Sequence, residues 1–113
     1  MYVGGELIDS TDGSEKIIQC PANNNSIAQL SWANKNDAEN ALQAAKLGFK
    51  TWSKLSLDER KVWMTKFKNA VINNEKLLRK AIIYEMGKTY EGSKEDIDSL
   101  TSSLDFYPDA MEK

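Results

Sequence analysis

From Asn36 onward the apolar residues recur every three or four positions, and this period constrains the chain more than any other feature. Ala38, Ala41, Leu42, Ala45, Phe49 and Trp52 share one side of a 3.6-residue helix. Asn36 stands before this run with Glu39 three residues on, the spacing at which side chain and backbone cap each other, so the helix is expected to start at Asn36. A second run starts at Ser56, with Glu59 at the same spacing. Asp58 lies beside it in the first turn, where acidic groups meet the positive end of the helix dipole. Trp63, Phe67, Ala70 and Val71 are its expected inner face. Asn73-Asn74 breaks the pattern, and Leu77, Leu78, Ala81 and Ile82 carry the next inner face. A last run has Ile97, Leu100, Leu104 and Tyr107; Pro108 is expected to interrupt it, because proline lacks the N–H that the helix ladder needs.

Residues 1–35 follow a different rhythm. Two apolar patches in "YVGGELI" flank Gly4-Gly5, a pair that takes positive φ readily and suits a tight hairpin. "EKIIQC" and "SIAQLSW" flank "PANNN", where Pro21 and three asparagines favour a turn. Short strands in a hairpin or small meander are expected here, too slight to be stable without further support. There is no internal repeat and no low-complexity segment.

"EMGKTYEG" raises a separate question, since Gly87-Lys88-Thr89 resembles the end of a phosphate-cradling loop. Such a loop needs a second glycine five residues before Gly87, and that position is Ile82. It also needs a strand leading in, whereas the preceding residues read as helix. Gly87 is instead expected to stop that helix in the left-handed conformation, with Lys88 near its negative end.

Composition narrows the chemistry. A chain of 113 residues is one domain or part of one, able to bury roughly two thirds of its unfolded surface. Fifteen basic against 17 acidic residues leave a formal charge of −2, so no global field draws nucleic acid or an anionic membrane. The basic cluster "ERKVWMTKFK" is interleaved with apolar residues at helical spacing, as on a solvated helix face. No apolar run approaches the roughly 20 residues of a membrane span, and the first residues lack the pattern of a signal peptide. One cysteine permits no internal disulfide and suits a reducing compartment, so a cytoplasmic location is expected. The absence of histidine removes histidine-activated nucleophiles and most catalytic zinc sites.

Taken in series, several stretches resemble the N-terminal portion of the NAD(P)-dependent aldehyde dehydrogenase superfamily. They are "YVGGELIDS", "CPANNNSIAQLSWAN", "DAENALQAAKLGFKTWSKLSLDERKVWMTKF" and "IIYEMGKTYEGSKEDI". The most specific elements are the Ala-Ala-x-x-x-Phe-x-x-Trp spacing of Ala44 to Trp52, Glu59-Arg60, and the Glu-x-Gly-Lys of Glu85 to Lys88. "CPANNN" departs from the Asn-Pro-Ala-Thr-Gly that the family typically carries there.

The resemblance implies an α+β piece of an α/β aldehyde dehydrogenase fold, with a short N-terminal β-hairpin or meander over residues 1–35 and three to four amphipathic helices over 36–113. It implies the N-terminal part of a cofactor-binding domain in an enzyme that oxidises an aldehyde, of which semialdehydes are one class, to a carboxylic acid using NAD or NADP. The family's nucleophilic cysteine, general-base glutamate and glycine-rich cofactor segment lie beyond residue 113, so no catalytic or cofactor-binding residue is assigned here and the segment alone is expected to be inactive. Its implied partners are the remainder of its own chain and, in a homo-oligomer such as a dimer or tetramer, further copies; nucleic acid and membrane are not among them. Cys20 stands where the family pattern carries asparagine, and it reads as a structural thiol. Glu85 and Lys88 read as helix-end residues. Family members hold a structural monovalent cation through an acidic residue past the Gly-Lys motif, and the matching position here is Asp96, with backbone carbonyls from about Ile18 to Cys20. A different class of reading, a free-standing helical module that binds a partner in an amphipathic groove, fits the same apolar faces.

Overall fold

The computed structural model describes residues 1–110, and the chain divides into two compact units: residues 1–19 with 25–54, and residues 20–24 with 55 onward.

The first unit opens with β1 (Tyr2–Val3) and β2 (Glu6–Leu7), antiparallel, with Tyr2 opposite Leu7. Gly4 and Gly5 turn the chain between them at φ of 64° and 95°; positive φ at both central positions matches the twist of the flanking strands. β3 (Glu15–Gln19) pairs with β4 (Ser26–Ser31), Ile18 opposite Ala28, with a register shift between Ile18 and Gln19. The two ribbons are separate two-stranded sheets, not one continuous meander.

α1 (Lys35–Trp52) starts earlier than the sequence pattern suggests. Its cap is Asn34, whose side chain accepts from the N–H groups of Asn36 (2.8 Å) and Asp37 (3.1 Å), while Asp37 accepts from the Asn34 N–H (2.9 Å). Asn36 is therefore not the cap. Its expected partner Glu39 lies instead 3.8 Å from Lys35 on the helix surface. The reason is tertiary: Asp37 is also bound by Ser10 and Thr11, a contact that no local pattern announces.

The second unit holds α2 (Leu57–Asn73), α3 (Glu75–Met86) and α4 (Tyr90–Ala110), with α4 running against both of the others. Val71, Ile97, Leu104 and Pro108 are buried, as is Cys20 from the 20–24 turn. Ser56 caps α2 as expected: the Glu59 N–H donates to its hydroxyl (3.3 Å) and Glu59 accepts from its N–H (2.7 Å). Asn74 marks the break between α2 and α3, donating from its side chain to the Ala70 carbonyl (2.8 Å). Gly87 ends α3 at φ 68°, in the left-handed region, with its N–H on the Ile83 carbonyl (3.0 Å).

Two expectations fail in this unit. α4 passes through Pro108 without interruption: a helical proline forfeits one ladder bond, that of the carbonyl four residues back, and here the ring is buried in the unit. The inner face of α2 is also not the expected one. Trp63 and Phe67 are each 53% exposed and Ala70 is exposed, whereas Lys61, Met64, Lys68 and Val71 are the more enclosed residues. Lys68 and Lys61 reach Asp105 (2.5 Å) and Asp109 (3.6 Å) of α4, and that side of α2 is the one turned to α4. Leu77, Leu100 and Tyr107 are likewise exposed, as are Leu42, Phe49 and Trp52 of α1.

Candidate functional site

Most of the residues singled out in the sequence meet at the end of α3. Gly87 takes a conformation that side chains resist, and a Cβ built on it would lie 2.9 Å from Pro21 Cγ. The glycine therefore serves two ends, reversing the chain and admitting the proline of the 20–24 turn. Lys88 follows, its ammonium 2.6 Å from Asp96 Oδ1, each side chain about one third exposed. Asp96, the residue marked for a cation, thus has its carboxylate on an internal lysine. Among the described residues no group of three or more His, Cys, Asp or Glu side chains stands ready to hold a metal ion. Cys20 is buried, with its carbonyl accepting from the N–H groups of Asn23 and Asn24. Glu85 is exposed on α3.

Beside this corner lies an arginine that sequence reasoning missed. Arg79 is largely buried. It donates from Nε to Ser93 Oγ (3.2 Å), from Nη2 to the Tyr90 carbonyl (2.9 Å) and from Nη1 to Glu75 (3.2 Å). Its guanidinium also lies 4.0 Å from the centre of the Tyr90 ring. Ser93 is fully buried and donates to the Tyr90 carbonyl (2.7 Å), so the start of α4 is tied to α3 through one planar cation. An open groove of about 690 Å³ runs past it, lined by Ile72, Lys76, Ile83 and Tyr84 among others. The guanidinium is committed to its internal partners, and the groove presents no nucleophile with a base beside it. The local sequence marks Arg79 only by its i,i+4 spacing from Glu75, since its other partners, Tyr90 and Ser93, lie 11 and 14 residues on.

In the first unit the corresponding feature is a carboxylate. Asp37 is 2% exposed and accepts from the Asn34 N–H, the Ser10 hydroxyl (2.9 Å) and the Thr11 N–H (3.1 Å). The Asn34 N–H, above the Thr11 and Ser10 donors, holds this carboxyl below its ordinary pKa. Asp12 is lowered further, chiefly by Ser14 and then Ser10. On α2 the Ser56 N–H lowers Glu59, and on α4 the Asp98 carboxylate raises Lys94. The three carboxylates are shifted toward their charged form by hydrogen bonds in caps and turns, and Lys94 by its side-chain pair with Asp98 on α4. None is poised near neutrality, where acid–base catalysis needs it.

The described residues do not fit a dinucleotide. A nicotinamide cofactor is held where a glycine-rich turn joins a strand to a helix N-terminus. β4 enters α1 through Trp32-Ala33-Asn34, without glycine, and Asn34 already caps the helix. Gly87-Lys88-Thr89 joins two helices. What the surface does offer is apolar: Leu42, Phe49 and Trp52 on α1, and Trp63 and Phe67 on α2. No helix among the described residues is long and apolar enough to cross a membrane.

Comparison with known proteins gives a consistent result. The model described as Aldehyde dehydrogenase family matches residues 8–113. Malonate-semialdehyde dehydrogenase 2 of Bacillus thuringiensis (strain Al Hakam) is 35% identical over 89 residues, 79% of this chain and 18% of that protein. A protein of the same name from Bacillus mycoides (strain KBAB4) is 29% identical over 105 residues, 93% of this chain and 22% of its own. Among solved structures, a point mutant of betaine aldehyde dehydrogenase from Staphylococcus aureus, in complex with NAD+, superposes with a TM-score of 0.91 at 25% identity. That match covers 99% of this chain and 23% of the other. The chain thus spans about a fifth of the length of the relatives it matches.

Proposed function

The chain belongs to the aldehyde dehydrogenase family, and from that premise we propose that it is the N-terminal scaffold of an NAD(P)-dependent aldehyde dehydrogenase, the first part of its cofactor-binding domain. The reaction assigned to the whole protein is oxidation of an aldehyde, of the semialdehyde class, to a carboxylic acid. The match of residues 8–113 to the family carries this reading, and the names of the relatives at 35% identity favour a semialdehyde. The segment's own work is mechanical. Gly87 and Pro21 fix one corner, Arg79 ties α3 to α4, and the apolar faces of α1 and α2 are left to be covered. Fully burying a side chain such as Trp63 or Phe67 contributes about 1.5–3 kcal/mol, which such faces forgo while exposed. No step through the cofactor is assigned to these residues, since they do not fit it.

The test compares two preparations. A protein carrying this chain together with the further length found in its relatives is expected to reduce NAD or NADP when given malonate semialdehyde. The 113-residue chain alone is expected to show no turnover. Turnover by the short chain, or a longer protein inert toward semialdehydes and other aldehydes with both cofactors, would overturn the reading.

A further inference from the structure

Asp12-Gly13 is the one Asp-Gly pair in the chain, and no Asn-Gly occurs. In such a pair the glycine nitrogen can attack the side-chain carboxyl of the aspartate, because a residue without a Cβ leaves the approach open. A bond forms between Gly13 N and Asp12 Cγ, and the carboxyl hydroxyl leaves as water with the amide proton. Water then opens the cyclic imide at either carbonyl. One opening restores aspartate; the other routes the backbone through the β-carbon and gives isoaspartate. No co-reactant is consumed, and the attack is intramolecular, so it needs no free surface.

Two conditions must be met. The carboxyl must be neutral, since a carboxylate is a poor electrophile with no hydroxyl to lose, and the Gly13 nitrogen must be free to turn toward it. The folded turn opposes both. Asp12 Oδ1 accepts from the Ser14 N–H at 2.9 Å and lies 2.8 Å from the Ser10 hydroxyl. The Ser14 side chain first, and Ser10 next, hold this carboxyl below its ordinary pKa, so it stays ionised at neutral pH. The Gly13 N–H is engaged as well, on the Ser10 carbonyl at 3.1 Å. Ser10 itself is buried, which anchors the turn in the first unit.

We propose that Asp12-Gly13 is a site of spontaneous isoaspartate formation, held in check by the hydrogen bonds of the folded 10–14 turn and released when the first unit loosens. The consequence is not confined to residue 12. Isoaspartate lengthens the backbone by one methylene and moves the carboxylate, so the Ser10 and Ser14 donors lose their acceptor. The Ser10 hydroxyl also lies 2.9 Å from Asp37 Oδ2, and the change therefore reaches the group that caps α1. The inference goes beyond the dehydrogenase reading and is scored by peptide chemistry, not activity.

A protein carrying this chain together with the further length found in its relatives is held at neutral pH for several days, with and without urea. Peptide mapping around residue 12 separates isoaspartate from aspartate at unchanged mass and shows the imide as lighter by one water. The folded protein is expected to accumulate little isoaspartate. The urea-unfolded protein is expected to form it about tenfold faster, the order of factor that one hydrogen bond to a charged group carries. In the folded protein Ser14→Ala, which removes the foremost side-chain donor to Asp12 and spares those of Asp37, is expected to speed the reaction severalfold. Ser10→Ala is expected to do the same from the other side of the carboxylate. Thr11→Ala removes a hydroxyl that accepts from Asn34 and does not bind Asp12, so it is expected to react at the parent rate. In urea all four proteins should react alike, which separates the effect of the turn from that of the sequence. Unfolded protein no faster than folded, Ser14→Ala and Ser10→Ala both at the parent rate, or Thr11→Ala as fast as either would each overturn the proposal.

Discussion

The two units have similar building blocks, strands or turns and helices of ordinary length, but they are held together by opposite means. In residues 1–19 and 25–54, the buried side chains are Ser10 and Asp37, both polar, and the long helix α1 leaves Leu42, Phe49 and Trp52 exposed. In residues 20–24 and 55–110, Val71, Ile97, Leu104 and Cys20 form an apolar interior, and charges such as Lys68–Asp105 sit at its rim. A helix with a well-made cap is thus no evidence that the helix has a core. A polar clasp fixes geometry, because hydrogen bonds demand partners at set distances, but it contributes little net free energy, because the same groups bond to water when the chain unfolds. Apolar burial contributes free energy in proportion to area. The second unit is therefore the one expected to unfold cooperatively, and the first to loosen at lower cost.

The contrast breaks most visibly at Leu104. Leu104→Ala is expected to cost about 2–5 kcal/mol in the second unit, the range for removing a buried leucine. Chemical denaturation followed by fluorescence of Trp63 would read it. A loss below about 1 kcal/mol would mean that the interior is not what holds this unit. Gly87→Ala comes next, at about 1–3 kcal/mol for side-chain strain in the left-handed region. The added Cβ also lies 2.9 Å from Pro21, and this contact is relieved only if the 20–24 turn moves away. Hydrogen exchange at Asn23 and Asn24, whose N–H groups bond the Cys20 carbonyl, would report that movement directly.

How much of this was legible in the sequence depends on range. Gly4-Gly5, Ser56 with Glu59, the break at Asn73-Asn74 and the stop at Gly87 all lie where pattern reading puts them, because each is decided by residues within a few positions. The start of α1 was misread because Asn34 and Asn36 are equivalent locally; Asp37 decides between them, and Asp37 is held by Ser10, 27 residues away. The inner face of α2 was misread for a related reason. Periodicity identifies an apolar stripe but not which surface it meets, and the residues turned to α4 are Met64, Val71 and two lysines whose ammonium groups reach its carboxylates. Of Arg79 only the i,i+4 pair with Glu75 was legible, because its other partners, Tyr90 and Ser93, are assembled by the turn between α3 and α4. The Gly-Lys-Thr run was legible only in the negative: the missing glycine excluded a phosphate loop, and the helix stop took its place.

Ser56→Ala probes the contrast from the side of local structure. It removes one half of a capping box and is expected to cost about 1 kcal/mol, with Glu59 still able to accept from the residue-56 N–H (2.7 Å). The loss should appear in the second unit's unfolding and leave the chemical shifts of Ser10 and Thr11 in place. A change in both units would show that they unfold together and that the division between them has no energetic meaning.

The smallest effect is confined to acid, and it sharpens the comparison most. Asp37 and Asp12 have carboxyl pKa values below their ordinary ones in the folded chain, Asp37 through the Asn34 N–H first and Asp12 through Ser14 first. A depressed carboxyl contributes stability that is fully present above its unfolded value near 3.8 and is lost as pH falls through the folded value. The first unit should therefore be indifferent to pH between neutrality and about 4, and should then loosen as the clasp protonates. The amide shifts of Thr11 and Asn34, both donors to Asp37, should move together in that window, while those of Ile97 and Leu104 stay still until the second unit unfolds. Asp37→Asn removes the titrating group while keeping its size. In that variant the joint movement of Thr11 and Asn34 should disappear, leaving only the part due to Asp12. Should Ile97 move with Thr11 at the same pH in the parent chain, one cooperative transition would replace the two, and the polar clasp would have to be counted as support for the apolar core as well.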